Sequence, residues 1–320
     1  MSQSVFLTGA SGFVGNAVMH RLVADGFRVI AAVRNEAALV EEGVRTAHFD
    51  SFETADWVEQ LFGVDSVIHC AARVHVMNDT ESDPLAAFRK VNVEGTLRLA
   101  RQAAEAGVRR FVFISSIKVN GECTRPGKVY TADDLPDPRD PYGVSKMEAE
   151  QELRELANHT AMDVVIIRPV LVYGPGVKAN FLNMMRWLDK GIPLPFGAIH
   201  NARSLVALDN LVDLIITSLA HPKAANQIFL VSDGEDLSTT QLLRHMGRAL
   251  GKSARLIPFP SWMLSCAANL LGKHALSQRL CGSLAVDIGK TRSLLQWSPP
   301  VSVDSALELA AKHYMDHEKQ

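Results

Sequence analysis

Val5-Phe-Leu-Thr-Gly-Ala-Ser-Gly-Phe-Val-Gly15 decides the fold of this chain. A short apolar run, Ser4 to Thr8, enters a glycine turn and passes directly into a helix-like pattern over 13–25. That order, strand then turn then helix, opens a βαβ unit. Glycines at such a turn allow a tight bend and close approach of the backbone, so a pyrophosphate can sit on the helix N-terminus. The spacing is G-x-x-G-x-x-G rather than the more usual G-x-G-x-x-G. Gly9, Gly12 and Gly15 are the candidate phosphate cradle, with Phe13 and Val14 beside them in the same turn.

Outward from this turn, apolar runs alternate with helical patterns. Arg28–Val33, Ser66–His69, Arg110–Ile114 and Asp163–Arg168 read as further buried strands, and 85–106 and 143–159 as further helices. Such alternation predicts an α/β fold: a Rossmann-type doubly wound parallel sheet covered on both faces, with ligands at the carboxyl ends of its strands. After Arg168-Pro169 the pattern loosens into loops at Gly174-Pro-Gly176 and Pro193–Gly197, and 233–320 is mostly helical. We therefore expect residues 1–170 to bind a dinucleotide, with 205–232 returning to that domain. Residues 171–204 and 233–320 would form a smaller, interleaved substrate-binding region. Trp262–Leu271, the most apolar late segment, is expected to be a buried helix rather than a membrane-surface one.

Bulk properties remove several classes. The 320 residues are 47% hydrophobic and 21% charged, with a net charge of −2. That balance gives no electrostatic reason for a nucleic-acid or anionic-membrane partner. Four cysteines, Cys70, Cys123, Cys266 and Cys281, show no C-x-x-C pairing. They predict free thiols in a reducing cytoplasm, with no disulfide framework and no metal site. No apolar stretch is long enough to span a bilayer, and Ser4–Thr8 is too short to be a leader.

Two positions bear on the cofactor. The second strand ends at Val33-Arg34-Asn35, about twenty residues past the last glycine, where an acidic residue would hold an NAD ribose. Arg34 suits the 2′-phosphate of NADP, so NADP(H) is favoured and NAD(H) is the alternative. Asp50, at the end of the next extended run, could accept a hydrogen bond from an adenine amino group. A third stretch, Tyr142-Gly-Val-Ser-Lys146, places a phenol and an ammonium four residues apart on one helical face. An adjacent ammonium favours the phenolate, so Lys146 is expected to lower the pKa of Tyr142 into a range useful for proton transfer.

Together these residues resemble the extended short-chain dehydrogenase/reductase family of NAD(P)-dependent sugar-nucleotide epimerases, dehydratases and reductases. The resemblance spans the whole chain. It rests on Thr8–Gly15, His69-Cys-Ala-Ala72, Val91-Asn-Val-Glu-Gly-Thr96, Ser115-Ser116, Tyr142-x-x-x-Lys146, and Arg168-Pro169 with Val172-Tyr-Gly-Pro175. It implies that Ser116, Tyr142 and Lys146 are catalytic, with Ser116 at the end of the fourth parallel strand and holding the reacting sugar oxygen. It also implies that Ala71, Ala72, Asn92, Pro169 and Val172 line the cofactor. Asn180, Arg203 and, more weakly, Arg279 would contact the diphosphate of a UDP-sugar; Ser115 and His75 would have no direct role. The closing segments Arg279–Asp287 and Leu295–Pro300 resemble bacterial enzymes of surface-polysaccharide and O-antigen synthesis, which act on UDP-N-acetylhexosamines.

Two chemistries fit this resemblance. An epimerase removes hydride from C4 and returns it to the other face, retaining NAD; a reductase consumes NADPH. Arg34 favours reduction of a UDP-4-keto-6-deoxy-N-acetylhexosamine. The alternative is 4-epimerisation of a UDP-N-acetylhexosamine or its polyprenyl-linked counterpart. A dehydratase would need an Asp-Glu pair after the serine, where this chain has Ile117-Lys118, with Lys118 expected to face solvent. A non-catalytic NADP sensor is least expected, since it needs no acid–base pair. The helices at 85–106 and 143–159 are the candidate faces of a homodimer.

Overall fold

The computed structural model describes residues 3–34, 41–74, 83–260, 262–264, 278 and 280–317. Seven parallel strands form the main sheet: β1 (Ser4–Thr8), β2 (Arg28–Val33), β3 (Val44–His48), β4 (Ser66–His69), β5 (Arg110–Ile114), β6 (Asp163–Pro169) and β9 (Ile228–Val231). Their order is β3-β2-β1-β4-β5-β6-β9. The direction of winding reverses between β1 and β4, the switch point where a doubly wound sheet opens a crevice for ligand.

Strand alternation divides the core. Val5 and Leu7 of β1 pack in one layer with Val18, Met19 and Leu22 of α1 (Phe13–Ala24) and with Leu211, Leu214 and Ile215 of α7 (Leu208–Ala220). Phe6 points to the opposite layer. There it joins Leu99, Ala100 and Ala103 of α4 (Thr96–Glu105) and Ala149 and Leu153 of α5 (Pro141–His159). Successive strand side chains face opposite sides, so a sheet covered twice needs the near-continuous apolar runs seen in the sequence.

Three differences from the expected elements have local causes. β3, the extended run before Asp50, carries charged Arg45 and is only partly buried, so it does not read as one of the buried strands; with it, Ser116 follows the fifth strand rather than the fourth. The segment 85–106 is α3 (Pro84–Arg89) and α4 joined by a π-turn, Lys90–Gly95. A Cβ at Gly95 would sit 2.6 Å from Phe52 Cβ, so only glycine lets this turn pass that ring. Within 205–232, Ile228–Val231 supplies the seventh strand, while Leu205–Ala207 lies in a second sheet.

That second sheet has three strands: β7 (Leu171–Tyr173), β8 (Arg203–Ala207) and β10 (Asp236–Leu237). It shares a separate core with α6 (Ala179–Asp189), α8 (Thr239–Ala249) and α10 (Val303–His317), around Tyr173, Phe181, Met185, Leu243, Met246 and Leu307. Between α8 and α10 lies α9 (Gly289–Leu295). Of the late apolar segment, Trp262–Leu264 are described; they are helical, and Trp262 is 66% exposed. The buried placement expected for it does not hold at Trp262.

Candidate active site

The glycine turn is built by sterics. Gly9 has φ +74°, and a Cβ there would lie 2.8 Å from Ala71 N, so β1 and the segment after β4 approach backbone to backbone. A Cβ on Gly15 would fall 2.1 Å from Gly9 O, so the third glycine lets α1 dock on the turn. Gly12, the exposed N-cap residue, supplies no side chain to the first N–H groups of α1, and its first turn carries no acid. These N–H donors, with the positive end of the helix, fit a diphosphate. Phe13 and Val14 are half-buried at the same helix end.

A polar brace joins the turn to the sheet. Thr8 Oγ1 lies 2.7 Å from His69 Nδ1 and accepts a hydrogen bond from Ala71 N at 3.2 Å. His69 Nε2 is 2.9 Å from Thr96 Oγ1 on α4. Burial, reinforced by the Lys146 charge, lowers the imidazole pKa to about 3, so His69 is neutral and purely structural at physiological pH.

Asn92 sits in the π-turn, fully buried. Its Oδ1 accepts from Arg73 N at 2.8 Å, and its Nδ2 donates to Arg73 O and to Ser145 Oγ, each at 3.0 Å. Ser145 Oγ in turn donates to Tyr142 O at 2.8 Å. One amide thus ties the segment after β4 to the helix that carries Tyr142 and Lys146. Single-turn π insertions recur at functional sites, and here the widened turn is where Asn92 makes this link.

The three expected catalytic residues converge. Ser116 follows β5, and its hydroxyl lies close enough to the phenol of Tyr142, near the start of α5, to favour the phenolate. Lys146 is 1% exposed, with Nζ 4.0 Å from the centroid of the Phe113 ring. The charge of Lys146 is felt at His69 and Cys70, which puts this ammonium close to the end of β4 beside the candidate cradle.

The acidities differ from expectation. Burial and then the Asp140 carboxylate push Tyr142 up to about 12, against the opposing pull of the Ser116 hydroxyl. Burial brings Lys146 down to about 7, against Glu150 and Cys70. Lys146 therefore does not lower the phenol in the protein alone: desolvation outweighs pairwise attraction at both groups.

Several residues of this site escaped the sequence reading. Glu150, 3% exposed, lies one turn beyond Lys146 on α5. Its carboxylate receives Arg168 Nη2 at 2.5 Å and Nε at 2.9 Å, and also the Ser115 hydroxyl. Arg168 Nη1 reaches Asn120 Oδ1 at 2.9 Å. An arginine directly after the apolar run Val164–Ile167, within the same buried strand, was the available signal, because a buried guanidinium requires a buried acid. Lys118 is not a solvent-facing loop lysine: it is half-buried and ion-paired with Asp140 and Glu122. Asp140 also caps α5 by accepting from Gly143 N at 2.7 Å, which fixes the first turn of the helix that carries Tyr142 and Lys146.

The remaining candidates fall around this centre. Ala71 and Ala72 follow β4, half-buried; Arg34 and Asp50 follow β2 and β3, both exposed. The ring of His48 touches the Arg34 carbonyl, Nε2 to O at 2.9 Å. Pro169 ends β6 and Val172 lies in β7. Asn180 is exposed in the first turn of α6. Arg203 opens β8, half-buried, and donates to Gly282 O at 3.1 Å. Arg279 and His75 lie outside the described residues.

Comparison with known proteins follows this geometry. The profile of the NAD dependent epimerase/dehydratase family matches residues 5–232. The chain is 46% identical over 316 residues to a UDP-glucose 4-epimerase of Vibrio cholerae, covering 98% of this chain and 96% of the relative. It is 27% identical over 335 residues to the N-acetyl-alpha-D-glucosaminyl-diphospho-ditrans,octacis-undecaprenol 4-epimerase of Escherichia coli, covering 100% of this chain and 98% of that one. Among solved structures, UDP-glucose 4-epimerase from Thermotoga maritima with UDP-glucose superposes with a TM-score of 0.78 at 22% identity, covering 99% of this chain and 100% of that one. UDP-glucuronic acid 4-epimerase from Bacillus cereus in complex with NAD also gives 0.78, at 20% identity, with 98% and 99% covered. At those identities the structures speak for the fold alone. The sequence matches carry the assignment further: the chain belongs to the NAD dependent epimerase/dehydratase family.

Proposed function

We propose that this chain is a 4-epimerase of a UDP-hexose or UDP-N-acetylhexosamine that works with retained NAD. What supports the reading is the Ser116 hydroxyl beside the Tyr142 phenol, in a chain 46% identical to a UDP-glucose 4-epimerase. When bound, NAD supplies the hydride acceptor and donor at C4 and, while oxidised, a positive charge beside the phenol. Tyr142 takes the proton of the C4 hydroxyl and returns it to the C4 oxygen after the sugar has presented its other face. Ser116 holds that oxygen through both halves. In the protein alone Tyr142 is held protonated, the form that donates in the second half. Its use as a base requires positive charge nearby, from Lys146 and the cofactor.

Dehydration is disfavoured by the residues after Ser116. Ile117 is buried in the core, and Lys118 is engaged by Asp140 and Glu122, so neither position offers a second acid–base. In this proposal the large-sheet domain carries the cofactor, through Gly9–Gly15, Ala71, Ala72, Asn92 and Pro169, with Val172 reaching it from β7. Residues 171–204 and 233–320 carry the sugar nucleotide, with Asn180 and Arg203 at its diphosphate. A homodimer through α4 and α5 belongs to the same reading.

A second reading rests on Arg34. An exposed arginine directly after β2, rather than an acid, suits the 2′-phosphate of NADP and thus a 4-ketoreductase consuming NADPH.

The two are separated by substrate. With UDP-GlcNAc or UDP-glucose and no added reductant, the epimerase reading expects interconversion with the galacto isomer. Tyr142→Phe should lower turnover by about 10²–10⁴-fold and leave NAD affinity unchanged. NADPH oxidation by a UDP-4-keto-6-deoxy-N-acetylhexosamine without any interconversion would replace this reading by the reductase. Unaltered turnover in Tyr142→Phe would remove both.

A further inference from the structure

The chain segregates charge. Between Leu237 and Val286 there is no Asp or Glu, but there are six cations, Arg244, Arg248, Lys252, Arg255, Lys273 and Arg279. With a chain total of −2, that stretch carries +6 and the remainder −8. Arg244, Arg248, Lys252 and Arg255 are all exposed. Arg244 and Arg248 stand one turn apart on α8, and both line a shallow groove with Lys252. Two acids are paired at this face: Asp189, 3.8 Å from Lys252, and Asp304, which His245 engages at 2.6 Å.

Beside these cations lies an apolar patch. Ile257 is 51% exposed and Trp262 66%, with Phe259 and Met263 also exposed. Backbone bonds bring a second run to the same place: Leu194 N donates to Arg255 O at 2.9 Å and Ile257 N to Leu194 O at 2.8 Å. Ile192, two residues earlier, donates its N–H to Trp187 O at 3.1 Å, and both of these side chains are exposed. Trp187 and Ile192 thus lie by Arg255 and Ile257, and exposed Phe259 and Trp262 follow in the chain.

We propose that this face docks the protein on an anionic phospholipid bilayer. An amphipathic ring and aliphatic groups enter the headgroup boundary, while Arg and Lys at the rim meet lipid phosphates. Charge complementarity selects this occupant. The rest of the chain is acidic and would be repelled by the same bilayer, which orients the molecule with this face down. No helix among the described residues is long and apolar enough to cross a membrane, so the contact is peripheral.

The test is co-sedimentation of the full chain with vesicles of phosphatidylcholine alone and of equal parts phosphatidylcholine and phosphatidylglycerol. The chain should pellet with the mixed vesicles only, and high salt should release it. Arg248→Glu with Arg255→Glu should weaken binding by at least about tenfold, and Trp262→Ala should weaken it separately. Both variants should turn over a soluble UDP-sugar at the parent rate, or retain the parent circular dichroism if that activity is absent. Failure to pellet, equal pelleting with neutral vesicles, or unaltered binding by the charge-reversed variant would overturn the proposal. A dimer in sedimentation equilibrium that Trp262→Asp converts to monomer would assign the face to a second copy instead.

Discussion

Lys146 shows how little of a residue's chemistry follows from its neighbour in sequence. The four-residue spacing from Tyr142 is legible in the sequence, and so is the common helical face. The acidities are not, because they depend on enclosure by Phe113, Cys70 and His69, which arrive from other strands. The consequence can be measured without substrate. Burial lowers the folded-state pKa of Lys146 from 10.5 to about 7. Between these values the unfolded chain binds more protons, so stability rises with pH across the window. The slope reaches about 1.4 kcal/mol per pH unit for one group. His69, lowered from 6.5 to about 3, has finished contributing below this range. Cys70, raised from 9.0 to about 12, and Tyr142, raised from 10.0 to about 12, act in the opposite sense from the upper part of this window onward. Urea midpoints of the cofactor-free protein should therefore climb between about pH 7 and 9, and Lys146→Met should flatten the climb. Equal slopes in the two proteins would show that Lys146 titrates normally.

At the scale of the element, α5 is held by charges as much as by its apolar face. Asp140 caps its first turn, Asn92 and Ser145 hold its second, and Arg168 holds its third through Glu150. Removing one member of a buried ion pair leaves the other uncompensated, at a cost of about 3–5 kcal/mol. Glu150→Leu should destabilise the protein by that amount in urea unfolding, whereas Glu150→Leu with Arg168→Met should recover most of it. No recovery in the double variant would mean that the pair matters through its hydrogen bonds to Ser115 and Asn120. The helix itself was visible in the sequence; its clamps were not. Glu150 looked like any surface acid, and Asp140 and Lys118 are 22 residues apart in the chain. The π-turn was equally hidden, because Lys90–Gly95 keeps a helical pattern, and Phe52, against which Gly95 packs, lies far earlier in sequence.

Across the whole molecule, the six strongly apolar or glycine-marked elements around the cofactor crevice could be read in advance, since a doubly covered parallel sheet demands them. The three-stranded sheet could not. β7 and β10 have three and two residues, too few for any periodicity, and they pair only through β8. That small sheet interrupts the large one: the chain leaves after β6, builds β7, α6 and β8, and returns with β9 at the edge. Pairing across so long a loop is late, because closure entropy is lost before contacts form. Pulse-labelled hydrogen exchange during refolding should find amides of β1, β4 and β5 protected before those of Ile228–Val231; simultaneous protection would argue for one concerted step.

The interruption has a cost during synthesis. Until Ile228–Val231 has left the ribosome, Val164–Ile167 forms an open edge of four consecutive β-branched residues on a parallel sheet. Such an edge recruits strands from other nascent chains. Fragments that end before residue 228 should collect in inclusion bodies, so the last strand to pair also serves as the guard against aggregation.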